Sequence, residues 1–289
     1  MQQQAYFTYC VVRKLIMTIL NLLHSNLRLK FAGREIQHSM SAISQIFSAD
    51  GAAKISQSAP PINSVAAPVA PWWHIAVILL VFAADSIASY YQHGLPNAHI
   101  PGLNARLSSY VTVVVEEWLL VLFIWLWLKR SGQTMASLTS GRWRSARAFF
   151  RDAGLALGFL VVGIPLTSGL AWLIGVRSGP TDILPRTALE AVVWALCAVT
   201  AGFCEELIFR GYLMGQFTTR TKSRVLGIGL QGLVFGLAHG YQGRQMLVIF
   251  IYGCMFGAFV TWRKSLLPAM IAHGVQDTVG GLANFFLAR

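Results

Sequence analysis

Residues 188–213 read ALEAVVWALCAVTAGFCEELIFRGYL. A membrane-crossing helix needs about 20 mostly apolar residues, and this run supplies them. Its second half nevertheless holds Glu205, Glu206 and Arg210. An ionisable residue inside a span costs roughly 2.5–3.5 kcal/mol on insertion scales, so it normally faces a partner or a water cavity. Glu206 and Arg210 are four residues apart and share one helix face, where they can pair. Glu205 is rotated by about 100° from Glu206 and points elsewhere. Two carboxylates against one guanidinium leave one carboxylate for a catalytic or ligand role. The competing reading is an ion pair that serves helix packing.

Outward from this run, six further apolar stretches of spanning character lie at about 72–91, 109–128, 153–176, 225–240, 245–262 and 266–287. They predict an all-α fold, a polytopic transmembrane helix bundle of seven to eight spans. The composition agrees: 55% of the 289 residues are hydrophobic and only 12% charged, where soluble domains run nearer 25% charged. The eighth span would come from residues 5–23, an apolar segment interrupted by Arg13 and Lys14 that also reads as an interfacial helix. Residues 50–71, rich in Ala, Ser and Pro, read as a flexible linker. The organisation expected is an N-terminal extension over 1–71, N-terminal transmembrane helices over 72–184 and a catalytic transmembrane core over 185–289.

The net charge is +12. Nucleic-acid binding is not the explanation, because the cations cluster in short loops between apolar runs, where they set topology. With the linker cytoplasmic, the loops on that side carry Lys129, Arg130, Arg142, Arg144, Arg147, Arg151, Arg220, Lys222, Arg224, Arg263 and Lys264. The opposite loops carry only Arg106, Arg177, Arg186 and Arg244. The expected location is the cell (inner) membrane, multi-pass, with the N-terminus cytoplasmic. Cys10, Cys197, Cys204 and Cys254 form no CxxC pair, which argues against a disulfide framework or a zinc ribbon. Small-xxx-small spacings at Gly154/Gly158, Gly232/Gly236, Gly236/Gly240 and Gly253/Gly257 let helix backbones approach closely in lipid, and place the fifth and sixth runs deep in the bundle.

Two more runs carry polar groups. The fifth has Phe235-Gly-Leu-Ala-His239, and the seventh has His273-Gly-Val-Gln-Asp277 with imidazole and carboxylate on one face. A Glu and a His can take a proton from water, a second His can stabilise an oxyanion, and an Asp behind a His can fix its tautomer. The same atoms of Glu205, His239 and His273 also make a His2Glu zinc site with an open position, so glutamate-type and metal-dependent chemistry both stand. Depths are uneven: by helix rise, Glu205, His239 and His273 lie ~15, ~22 and ~10 Å from the cytoplasmic end. A common depth requires the fifth run to begin nearer Gly229, or helices to tilt or break. Asp85, Glu116 and Glu117 are read as cavity lining or interhelical bonds. HExxH, GxSxG, GxSG and GxGD are absent.

EExxxR (Glu205 to Arg210), FxxxH (Phe235 to His239) and HxxxD (His273 to Asp277) resemble, in order and spacing, the three motifs of the CPBP family, also called Abi. That family comprises CAAX prenyl proteases and bacteriocin-processing or immunity proteins. The resemblance covers about residues 185–287. It implies a bundle of about eight helices around a water-filled cavity. Glu205 and His239 would activate water, His273 and the residue at Asp277 would stabilise the oxyanion, and Glu206, Arg210 and Phe235 would support. CAAX proteases carry Asn at the last position. An ionised Asp277 cannot donate to an oxyanion, so it is protonated, orients His273 or binds metal.

The expected function is an intramembrane endopeptidase acting on a membrane-associated or prenylated-type peptide substrate, in contact with membrane lipid and with no nucleic acid as partner. The alternatives are a non-catalytic bacteriocin-immunity or scaffold protein, and an ion- or proton-coupled transporter, which the lack of repeat symmetry disfavours. Met40 opens a polar leader before the first span, and on one reading residues 1–39 are a start-site artefact. That reading predicts that mass spectrometry of the natural N-terminus finds no peptide upstream of Met40.

Overall fold

The structure is a computed structural model that describes residues 70–92, 100–176, 183–240 and 243–287. All of these fall in one compact unit, Ala66–Arg289. Residues 5–23, Met40 and the linker up to residue 69 lie outside the described residues. Every regular element among the described residues is helical: α1 (Trp72–Gln92), α2 (Ala105–Arg130), α3 (Met135–Thr139), α4 (Ala146–Leu173), α5 (Ala188–Glu205), a π-helical segment (Glu206–Leu213), α6 (Met214–Thr221), α7 (Arg224–Ala238), α8 (Arg244–Arg263) and α9 (Leu267–Leu287).

Local chemistry sets the ends. Asn104, Ser145 and Ser223 accept backbone N–H bonds at the starts of α2, α4 and α7, satisfying donors that no helix can satisfy internally. Thr187 and Glu190 form a reciprocal capping box at the start of α5. Lys222 and Lys264 adopt left-handed conformations that stop α6 and α8, both within the basic loops.

Among the described residues, four of the seven to eight spans expected are helical stretches long and apolar enough to cross a membrane: Ala105–Arg130, Ala146–Leu173, Ala188–Thr221 and Arg244–Arg263. The stretches Trp72–Ala88 and Arg224–Ala238 are apolar but shorter; α7, at 15 residues, reaches only about 22 Å against a hydrocarbon core of about 30 Å. Helix α9 has the length, but His273, Gln276, Asp277 and Thr278 dilute its apolar character. The short α3, inside the first basic loop, was not anticipated; its Leu138 is buried.

The continuous rod α5–π–α6 is the centre of the bundle. Leu207, Ile208, Phe209, Tyr212 and Leu213 are all at most 1% exposed. The rod runs on past the expected end at residue 213 because Gln216 and Phe217 are buried too, and Gln216 accepts the Ala70 backbone N–H at 2.8 Å. Helices α2 and α9 pack on α5, α8 packs on α7, and α4 packs on α8 and α9. Outward faces are apolar: Leu189, Val192, Leu196 and Val199 make an exposed stripe at helical spacing along α5, as expected where the solvent is lipid.

Glycines decide the close crossings. A Cβ on Gly202 would lie 2.7 Å from Gly274 Cα and 3.0 Å from the Met270 carbonyl oxygen, so α5 and α9 meet backbone to backbone there. Gly232, Gly236, Gly253 and Gly257 likewise seat α7 against α8. Gly240 is instead a turn residue at φ +67° that follows α7. Around Gly154 and Gly158, by contrast, nothing lies within 4 Å of an added Cβ, so that pair seats no neighbouring helix. Nor is α7 deep in the bundle. Leu226, Leu230, Leu233 and Leu237 form an exposed stripe along it, so its glycine face packs and its leucine face does not. Replacing Gly202 with Leu is expected to lower the thermal unfolding midpoint in detergent sharply, since overpacking costs about 1–3 kcal/mol or more. Gly158→Ala, with open space around it, is expected to leave the midpoint unchanged or raise it.

Candidate active site

The π-helical segment carries the first motif. Such segments insert extra backbone into a helix and recur at functional sites. The expected Glu206–Arg210 pair forms there: Arg210 Nη1 donates to Glu206 Oε1 at 2.9 Å, with both side chains fully buried. The same oxygen accepts from His273 Nδ1, also at 2.9 Å. A carboxylate acceptor requires the proton on Nδ1, which fixes the ring. His273 Nε2 then faces two other carboxylates, Asp277 Oδ2 at 3.4 Å and Glu205 Oε2 at 3.7 Å. Glu206 is sealed, whereas the side chains of Glu205 and Asp277 are 19% and 34% exposed. The two adjacent glutamates thus have different environments, as their rotation about the helix demanded.

The Gly202–Gly274 crossing explains how His273 reaches both glutamates. It lies about one turn from Glu205 and Glu206, and Gly274 follows His273 directly. Trp194 Nε1 adds a tether by donating to the Asp277 carbonyl oxygen at 2.8 Å. Of the two ways expected to bring the depths together, α7 beginning near Gly229 is not seen, since it begins at Arg224, whereas the rod does depart from α geometry at Glu206.

His239 immediately follows α7, and its Nδ1–H donates to the Phe235 carbonyl oxygen at 2.8 Å. This is one of the carbonyls that a helix C-terminus leaves unpaired, so the FxxxH spacing makes the histidine cap its own helix. The lone pair consequently sits on Nε2. The Phe235 ring stands between the imidazoles, its centroid 4.5 Å from His239 and 6.1 Å from His273. The Arg210 guanidinium lies 4.1 Å from the Phe235 ring centre and 5.0 Å from that of Phe256, a cation–π setting that supports a charge away from water.

Glu117 of α2, read from the sequence together with Glu116 and Asp85 as cavity lining or interhelical bonding, is buried. A buried acid on the second run was visible in the sequence, but no local spacing tells which helix α2 lies against. Among the described residues, no group of three or more His, Cys, Asp or Glu side chains is gathered to hold a metal ion; the set Glu205, His239 and His273 does not form one.

The apolar helices and their buried acid–histidine cluster define an integral membrane protein of the polytopic, intramembrane-site class. Residues 187–279 match the family described as type II CAAX prenyl endopeptidase Rce1-like. The match supports a CAAX protease (CPBP) family assignment for this C-terminal core. No curated protein and no solved structure matches the chain.

Arg210→Met leaves the Glu206 charge buried beside one remaining partner. The expected loss is about 3–5 kcal/mol of stability, read as a lower unfolding midpoint in detergent. The double variant Glu206→Gln/Arg210→Met, which removes both charges, is expected to recover part of it.

Proposed function

We propose that the cluster hydrolyses a peptide bond of a membrane-associated or prenylated-type substrate through water activated by Glu205 and His239. The observation that carries this reading is the division of labour between adjacent glutamates. Glu206 is locked by Arg210 and His273, while Glu205 is partly exposed and close to the same imidazole. Glu205 takes a proton from water and the water oxygen bonds to the scissile carbonyl carbon, its π electrons moving to oxygen. His239 Nε2 accepts a hydrogen bond from the same water. With His273 as an imidazolium, Nδ1–H bonded to Glu206, the oxyanion accepts a hydrogen bond from its Nε2–H, and Asp277 keeps that ring aimed, which suits an Asp where CAAX proteases have Asn. Glu205 then passes its proton to the leaving nitrogen as the C–N bond breaks. Donation to a developing oxyanion in a water-poor site is worth about 10²–10³ in kcat per donor, and general acid–base work about 10²–10⁴.

The positive-inside rule supports a cytoplasmic linker side, which would put the site within reach of cytoplasmic peptides. Glu205→Ala and His239→Ala are each expected to lower kcat by about 10²-fold or more on a membrane-anchored peptide library in detergent. Cleavage that persists at the wild-type rate in both variants refutes the reading. The library is also run with a chelator, and full activity there is expected; loss of activity restored by zinc would move the chemistry to a metal.

A further inference from the structure

From Lys129 to Arg151, across α3 and the start of α4, the chain holds six basic residues and no acid. The acid that follows, Asp152, is buried and already engaged. It accepts from Arg263 Nη2 at 2.8 Å, from Arg151 Nη2 at 3.3 Å and from Trp143 Nε1 at 3.2 Å. Arg142, Arg144 and Arg147 are exposed, and none of them forms an ion pair among the described residues. The loop that carries them is held in place. Trp143, between two of these arginines in sequence, is pinned by its bond to Asp152. The Leu266 N–H donates to the Thr139 carbonyl oxygen at 3.1 Å, and a Cβ on Gly141 would lie 3.2 Å from Ser265 Oγ. The loop between α8 and α9 is thereby set against the loop between α3 and α4, and brings exposed Lys264 with it. Further along α4, Phe150, Leu157 and Val161 follow Arg147 on one helical face and are 68%, 62% and 64% exposed.

We infer that this surface binds an anionic phospholipid, with Arg142, Arg144 and Arg147 on the phosphate headgroup and an acyl chain along Phe150, Leu157 and Val161. A guanidinium offers two parallel N–H donors to phosphate oxygens, and it stays charged beside an apolar surface. Topology alone requires only that cations lie on one side of the membrane. It does not require loops from two helix pairs to meet, or the neighbouring acid to be consumed internally. Nor does it require an apolar face to continue from the arginines along the same helix. Those three features together fit a molecule that is anionic at one end and apolar along its length. An acidic protein would use the charge and leave the Phe150 face bare.

The test is lipid binding to the full-length protein in detergent, read by native mass spectrometry during titration with phosphatidylglycerol or with phosphatidylcholine of equal chain length. Wild type is expected to bind phosphatidylglycerol about tenfold or more tightly than phosphatidylcholine. The triple variant Arg142→Gln/Arg144→Gln/Arg147→Gln is expected to lose that preference, and Arg142→Lys/Arg144→Lys/Arg147→Lys, which keeps the charge, to retain most of it. The control Lys222→Gln/Arg224→Gln removes two exposed cations of another loop and is expected to behave as wild type. Equal binding of the two lipids by wild type, a preference that survives the glutamine triple, or an equal loss in the control overturns the inference. Displacement of phosphatidylglycerol by an equal concentration of glycerol phosphate or of a hexaglutamate peptide also overturns it, since either shows recognition of charge without lipid. If the glutamine triple does not fold, Arg147→Gln alone decides: a drop in preference of about threefold to fivefold is expected, and no drop overturns the inference.

Discussion

One oxygen atom holds the site together. Glu206 Oε1 accepts from Arg210 within the same helical rod and from His273 on α9, at 2.9 Å in each case and out of contact with solvent. A carboxylate in such a place is tolerable only with charged donors around it, since taking an ion from water costs several kcal/mol even after relaxation. Having paid that cost, the fold gains a rigid reference. The imidazole cannot turn without stranding a buried charge, and α9 cannot slide along α5 without pulling the imidazole away. The Arg210 cation is held in turn by the faces of Phe235 and Phe256, so the same contact also ties in α7 and α8.

Around this anchor the carboxylates grade outward. Glu206 is sealed, Glu205 is partly open, and Asp277 is the most exposed of the three. A single guanidinium stands among these three carboxylates, and the low dielectric makes the position of each charge consequential.

The surroundings serve these few contacts. Gly202 and Gly274 let two backbones touch where His273 must arrive, and the π-helical segment bends the register at Glu206, so that adjacent glutamates serve different ends. The lipid-facing stripes of α5 and α7 are chemically uniform by comparison: they need only be apolar, because the lipid around them is as apolar as any partner helix.

The division between sequence and tertiary structure follows from range. Each of the seven apolar runs falls on a helix, with starts or ends shifted by up to eight residues where the helix continues into polar sequence, because hydropathy acts on each segment separately. Spacing within a helix foretold the Glu206–Arg210 and His273–Asp277 contacts, since four residues always bring side chains to one face. The packing role of Gly232, Gly236, Gly253 and Gly257 was legible for the same reason. Contacts between helices were not. That His273 meets Glu206, that Gly202 meets Gly274 and that Gly154 and Gly158 meet nothing all depend on which helix lies beside which. The π-helical turn belongs to the same category: Leu207, Ile208, Phe209, Tyr212 and Leu213 around it are all buried by other helices. The chain thus announced its membrane helices and its polar residues segment by segment. The site exists only where several segments converge, and that convergence is a property of packing.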